Sequence, residues 1–188
     1  KLIKKDINKL VTKVKGIKHL DVLINNAGFG KRAYFHEEDI VTYEDMLKLH
    51  DFVTVKLTHA ALPAMIANKK GEIINVSSVA AFVPYIRNVI YAASKAFVNL
   101  FTHALSKELK GTGVKVQALC PGLTRTDFHE KMGLDSEAIY KQRFWQWPMT
   151  ADKVVAVSIK ALRKNKVICV PGFINKFIRF VFGILNII

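Results

Sequence analysis

Three short apolar runs constrain this chain more than anything else in it. They are "LDVLINNAG" (20–28), "GEIINVSS" (71–78) and "VKVQALC" (114–120). Each has the length and the Val, Ile and Leu content of a strand buried in a parallel sheet. Each also ends in a polar or Gly-bearing turn. The first runs into Asn26-Ala27-Gly28, the second closes on Ser77-Ser78, and the third is stopped by Pro121-Gly122. Between them lie stretches of helical length, near 41–68 with Pro63 toward its end, and near 88–110, closed by the "GTG" of 111–113. A helix near 2–14 precedes, with Leu2, Ile3, Ile7, Leu10, Val11 and Val14 on one stripe. A helix near 150–163 and a strand "KVICV" (166–170) follow. The stretch near 123–149 reads as irregular and aromatic, carrying Phe128, Tyr140, Phe144, Trp145 and Trp147. Strands alternating with helices in this way predict an α/β fold, a parallel sheet with helices on both faces.

Composition fits one such unit. A chain of 188 residues, 51% hydrophobic and 23% charged, supports a single core and excludes disorder. Cys120 and Cys169 stand far apart in apolar runs. They form neither a metal spacing nor a disulfide framework, and no metal is expected. The start, KLIKKDINKL, is charged and amphipathic rather than an apolar leader, so a cytoplasmic setting is expected. The net charge of +14 is dispersed and mixed with Asp and Glu, without a basic block interleaved with aromatics. That pattern argues for a solvated surface and against a nucleic-acid partner.

In open parallel sheets, ligands bind outside the carboxyl ends of the strands. Three polar turns at three such ends would converge on one crevice. Tyr91 and Lys95, four residues apart in "VIYAASKAF" (89–97), share a helix face and can reach the same place. A phenol with an ordinary pKa of about 10 is a poor proton carrier at neutral pH. A neighbouring ammonium favours the phenolate and would lower that value. The tyrosine could then exchange a proton with a substrate oxygen that Ser78 also holds. Taken alone, the pair reads more readily as a tyrosine packed on the sheet and a lysine snorkelling to water. The small Ala92, Ala93 and Ser94 between them leave room for a ligand.

These residues together resemble the short-chain dehydrogenase/reductase family. The matching positions are Asn25-Asn26-Ala27-Gly28, Ser78, Tyr91, Lys95, and Pro121-Gly122 with Thr126; Ser78 stands thirteen residues before Tyr91. The resemblance runs over roughly residues 5–172. It implies a Rossmann-like doubly wound sheet, and hydride transfer between NAD or NADP and a carbonyl or alcohol carbon. Tyr91 would be the general acid/base. Lys95 would lower its pKa and hydrogen-bond the nicotinamide ribose, and Ser78 would orient the carbonyl. Asn25, Ala27 and Gly28 would line the adenosine side, with Asn25 also tying neighbouring strands. Pro121, Gly122, Leu123 and Thr126 would hold the nicotinamide end. The aromatic segment 128–147 would be a substrate lid suited to a hydrophobic compound. Relatives of this kind form homo-oligomers.

Two departures from the family pattern carry consequences. Its glycine-rich turn is not in this sequence, so the expected fold lacks the first βα units, about 60 residues. Those units hold the pyrophosphate on a helix N-terminus, and without them strand 20–25 becomes an apolar edge. This chain alone is then expected to bind the dinucleotide poorly. Second, His50 stands where the family has an asparagine that anchors a relay water behind the lysine. It would replace that asparagine, break the relay, or pack as a core histidine with one backbone hydrogen bond. Both departures favour the alternative of a non-catalytic, regulatory relative; intact Ser78, Tyr91 and Lys95 favour an enzyme. Residues 1–172 are expected to form the partial Rossmann domain. The end, 173–188, is apolar with a thin polar stripe of Asn175, Lys176, Arg179 and Asn186. It is expected to be a helix at an oligomer contact or a membrane surface.

Overall fold

The protein is described by a computed structural model covering residues 4–142 and 148–185. Leu2, Ile3, Phe144, Trp145, Trp147 and Asn186 lie outside the described residues. The sheet has four parallel strands, β1 (Val22–Asn25), β2 (Gly71–Val76), β3 (Val114–Leu119) and β6 (Ile168–Cys169), in the order β1-β2-β3-β6. Helices α1 (Lys4–Lys15), α2 (Ile40–Leu47), α3 (Val53–Ala67), α4 (Val89–Glu108), α6 (Ala151–Arg163) and α7 (Phe173–Leu185) connect and flank it. Pro63 is accommodated inside α3.

Side chains alternate across a strand, and here the alternation divides two cores. Ile73 and Val116 face α3, where Ala61 and Met65 are fully buried and Val14 of α1 joins them. Ile74 and Leu119 face the other way, onto Val154, Ala161 and Leu162 of α6. Helices therefore cover both faces. A polar pair serves the α6 side as well, Ser158 donating to Gln117 at 2.6 Å.

The run 20–28 reads by itself as covered on both faces, but the apolar edge expected of strand 20–25 is what the structure shows: among the described strands β1 pairs with β2 alone, and Val22 and Ile24 are 45% and 57% exposed. Two further elements differ from the sequence expectation. Leu10 sits off the buried stripe of α1 and is exposed. The stretch 123–149 is not wholly irregular. It contains a two-strand pair, β4 (Thr124–Arg125) with β5 (Met149–Thr150), and helix α5 (Ser136–Gln142). These pieces are too short for a hydrophobic period to reveal them.

The turn from α4 into β3 shows how local chemistry sets strand position. Gly111 and Gly113 both take left-handed φ, +85° and +84°. A Cβ on Gly111 would meet open space, whereas one on Gly113 would collide with the Lys69 carbonyl. Gly111→Ala is therefore expected to cost about 1–2 kcal/mol, the left-handed penalty alone. Gly113→Ala is expected to cost clearly more, because backbone must move, and denaturant titration of the two variants checks the order.

Candidate active site

The site is built on a two-bond junction between strand and helix. At the end of β2, the Val76 carbonyl accepts a hydrogen bond from the Lys95 ammonium at 3.0 Å. One residue on, the Ser77 hydroxyl donates to the Lys95 carbonyl at 2.8 Å. The two bonds run in opposite directions between one strand end and one helical turn, so they set the rotation of α4. Its buried face carries Ser94, Lys95, Val98, Asn99 and Thr102, the spacing of a helix packed against a sheet.

That rotation presents Tyr91 to Ser78. The Ser78 oxygen accepts from the Ala80 N–H at 3.1 Å, capping the short 3-10 turn Val79–Phe82. Its hydroxyl stands close enough to the Tyr91 phenol to favour the ionised form. The Lys95 ammonium lies 5.7 Å from the Tyr91 ring centroid. Ser78, Tyr91 and Lys95 thus come together at the carboxyl edge of the sheet.

His50 ties the first loop to this cluster. It sits, 1% exposed, in a five-residue π turn (Lys48–Phe52) between α2 and α3. Such turns displace a side chain from the regular helical path. The Phe29 N–H donates to Nε2 at 3.1 Å, which assigns the proton to Nδ1. Nδ1 then donates to the Ser94 hydroxyl at 2.9 Å, and Ser94 donates to the Tyr91 carbonyl at 2.8 Å. Both imidazole nitrogens are engaged by protein groups. His50 is packed, with two polar bonds where the packed reading expected one to the backbone.

The remaining expected residues divide. Gly28 belongs to the cluster: a Cβ there would stand 2.9 Å from His50 Nε2 and 3.6 Å from the Lys95 ammonium. Ala27 is exposed beside it. Asn25 turns inward, its amide donating to Asn75 at 2.8 Å and to Thr58 at 3.2 Å, so it joins β1, β2 and α3. Asn75 passes the chain on to Thr102 of α4 at 2.9 Å. Pro121 accepts from the Val79 N–H at 2.9 Å, bringing the third loop beside the second. Gly122 lies against Asn175 of α7, and the Leu123 carbonyl accepts from the Met149 N–H. Thr126 is exposed, its N–H donating to the Tyr140 hydroxyl at 3.3 Å. From the expected lid, the Phe128 ring centroid stands 6.0 Å from that of Tyr91, and Met132 covers Gly30.

Burial governs the charges. It pushes His50 down to about 3, with the Lys95 charge adding to the effect. It pushes Lys95 down to about 8, against the opposing pull of Asp51. It pushes Asp51 up to about 6, which Lys95 partly offsets. It also raises Tyr91, and the Ser78 hydroxyl acts in the other direction. The expected lowering of Tyr91 by Lys95 is therefore corrected. The ammonium is turned to a backbone carbonyl, and removal of water from the phenol dominates. Ser77, Ser94 and Asp51 are site residues that motif reading missed. Asp51 alone left a signal, a carboxylate inside the apolar run "MLKLHDFVTV". Its Oδ1 is buried and makes no hydrogen bond. Among the described residues no group of three His, Cys, Asp or Glu is placed to hold a metal ion.

A four-stranded parallel sheet, helices on both faces and a polar cluster over its carboxyl edge define a Rossmann-like α/β protein. The chain belongs to the short-chain dehydrogenase family, whose model matches residues 3–137. It is 33% identical over 141 residues to serine 3-dehydrogenase of Rhizobium radiobacter, covering 74% of this chain and 56% of that protein. It is 32% identical over 127 residues to an uncharacterized oxidoreductase of Staphylococcus epidermidis, covering 64% of this chain and 55% of that one. The chain thus spans about half the length of these curated relatives. In fold it matches a short-chain dehydrogenase from Sphingobium yanoikuyae in complex with NADPH. The TM-score is 0.83 at 24% identity, over 99% of this chain and 72% of that one. A closed serine dehydrogenase complexed with NADP+ matches at TM-score 0.72 and 28% identity, over 88% of this chain and 69% of that one.

The depressed His50 pKa carries a stability consequence. The unfolded chain takes up this proton as pH falls below 6.5, while the folded chain resists it down to about 3. The His50 contribution is complete above pH 6.5 and is lost as pH falls through that window. It amounts to about 2 kcal/mol lost by pH 5. Asp51 runs oppositely, since its raised pKa favours folding as pH falls from 6 toward 3.8. The difference between wild type and His50→Asn isolates the histidine. Denaturant titration should show that difference shrinking between pH 7 and pH 5.

Proposed function

We propose that the protein is an NAD- or NADP-dependent oxidoreductase acting on a carbonyl or alcohol carbon, with Ser78, Tyr91 and Lys95 as its working residues. The observation that carries this reading is the meeting of the Ser78 hydroxyl and the Tyr91 phenol at the carboxyl edge of β2, beside a buried ammonium. The family supports it, as do the relatives named as dehydrogenases and the NADP+ held by the serine dehydrogenase.

The residues fit a dinucleotide in one testable respect. Exposed Gly28 has no Cβ, and the space a Cβ would fill borders the Lys95 ammonium. Ala27 and Gly28 would line the adenosine side, with Asn25 contributing its backbone because its amide is already engaged. Lys95, which gives one hydrogen to Val76, has further hydrogens for the ribose. Pro121, Gly122, Leu123 and Thr126 would bound the nicotinamide end. A nicotinamide cofactor supplies or accepts the hydride when bound.

The chain's own residues handle the oxygen. Ser78 donates a hydrogen bond to the substrate carbonyl oxygen and fixes its place. Tyr91 gives its proton to that oxygen as the carbon is reduced, and takes it back in the reverse direction. Burial keeps the phenol protonated at neutral pH, which suits reduction. Lys95 stands by as the charge that favours the phenolate once the proton has left, and Asp51 helps keep that lysine charged. Phe128 over the Tyr91 ring gives the site an apolar wall, which supports a hydrophobic carbonyl compound as substrate. Exposed Phe97 and Leu100 on α4 support a homo-oligomer. Two free, buried cysteines support a cytoplasmic setting.

A second reading, a relative that binds the cofactor without turnover, is favoured by the occupied nitrogens of His50, which leave none to anchor a relay water. The assay that separates the two uses the product of the whole reading frame, NADH and NADPH, and a panel of aldehydes and ketones. Turnover is expected to fall about 100-fold or more in Tyr91→Phe while cofactor binding persists. Reduction should proceed at neutral pH, and alcohol oxidation should rise with pH. Turnover unchanged in Tyr91→Phe would remove the role assigned to the phenol. Cofactor binding without turnover in the wild type would establish the second reading.

A further inference from the structure

Helix α7 turns a strongly apolar side to solvent. Phe173, Phe177 and Phe180 fall at i, i+4 and i+7 and form one stripe. They are 84%, 59% and 65% exposed. The opposite side is committed to the protein. Asn175 is buried there, donating to the Pro171 carbonyl at 2.6 Å and lying against Gly122, and the helix packs on the turn Val79–Phe82. The phenylalanine face is thus the outer surface of an anchored helix. It follows β6, the edge of the sheet opposite β1.

The helix itself carries charge of one sign. It holds Lys176 and Arg179 and no Asp or Glu. Lys176 is exposed beside the stripe, in the turn between Phe173 and Phe177, whereas Arg179 turns to the anchored side, its guanidinium 5.5 Å from the Phe82 ring centroid. An apolar face flanked by a lysine is complementary to the headgroup region of an anionic bilayer, which takes phenyl rings at its acyl boundary and lysine at its phosphates. A second copy suits it less. A symmetric pair would set the same lysine against its copy, with no carboxylate in the helix to neutralise it. With one side committed to the protein and the phenylalanine stripe on the other, the helix would lie in the surface plane.

We propose that α7 docks the protein on an anionic lipid bilayer, with Phe173, Phe177 and Phe180 entering the interface and Lys176 facing lipid phosphates. Flotation of the whole chain with vesicles tests this, using phosphatidylcholine alone and phosphatidylcholine with phosphatidylglycerol. The protein is expected to float with the anionic vesicles and to be released by raised salt. The triple variant Phe173→Ser, Phe177→Ser, Phe180→Ser is expected to lower the bound fraction about tenfold with an unchanged circular dichroism spectrum. Lys176→Glu, which leaves the rings in place, should weaken binding to anionic vesicles. Absence of flotation, equal binding to neutral vesicles, or full binding by the triple serine variant would overturn the proposal. A wild-type dimer that becomes monomeric in the triple variant, with no vesicle binding, would overturn it in favour of self-association.

Discussion

The ammonium of Lys95 is held inside the protein by the carbonyl oxygen of Val76, and the Lys95 carbonyl is held by Ser77. A lysine only 6% exposed carries a large desolvation cost, and charge on it survives only with partners. Here the partners are a strand end and the nearby charge of Asp51. The arrangement fixes α4 against β2 at one turn, and everything at the site follows from that angle. Tyr91, one turn earlier, meets Ser78, and Ser94 receives the imidazole that secures the loop after β1. A shift of α4 by one residue would break both bonds and separate the two hydroxyls.

Water exclusion is the second determinant. Every titratable group at the junction moves toward its neutral form, the imidazole and the ammonium downward and the carboxyl and the phenol upward. The pattern has one physical origin, the removal of solvent from charge, and the mutual attraction of Lys95 and Asp51 works against it. The phenol is therefore held protonated rather than as a preformed phenolate. In the mechanism we propose, the lysine acts when negative charge develops on the phenol oxygen.

Much of the architecture was legible in the sequence because strand and helix periods differ. The three apolar runs became β1, β2 and β3, and the Tyr91–Lys95 spacing landed on one helix face. What stayed hidden depends on distant neighbours. The π turn around His50 arises from packing between loop, α2 and α4, and no local pattern announces it. Ser77 and Ser78 are chemically identical in sequence. Strand alternation sends one inward to the Lys95 carbonyl and leaves the other to face Tyr91. The direction of the Tyr91 shift was misjudged because spacing reveals a nearby charge but not the water that burial removes.

The most direct measurement is the ionisation of Lys95 itself, followed by NMR of isotope-labelled lysine, with the signal assigned by its loss in Lys95→Met. An ammonium enclosed at the β2–α4 junction should titrate near 8. A value at the ordinary 10.5 would place the side chain in water and contradict the junction on which the site is built.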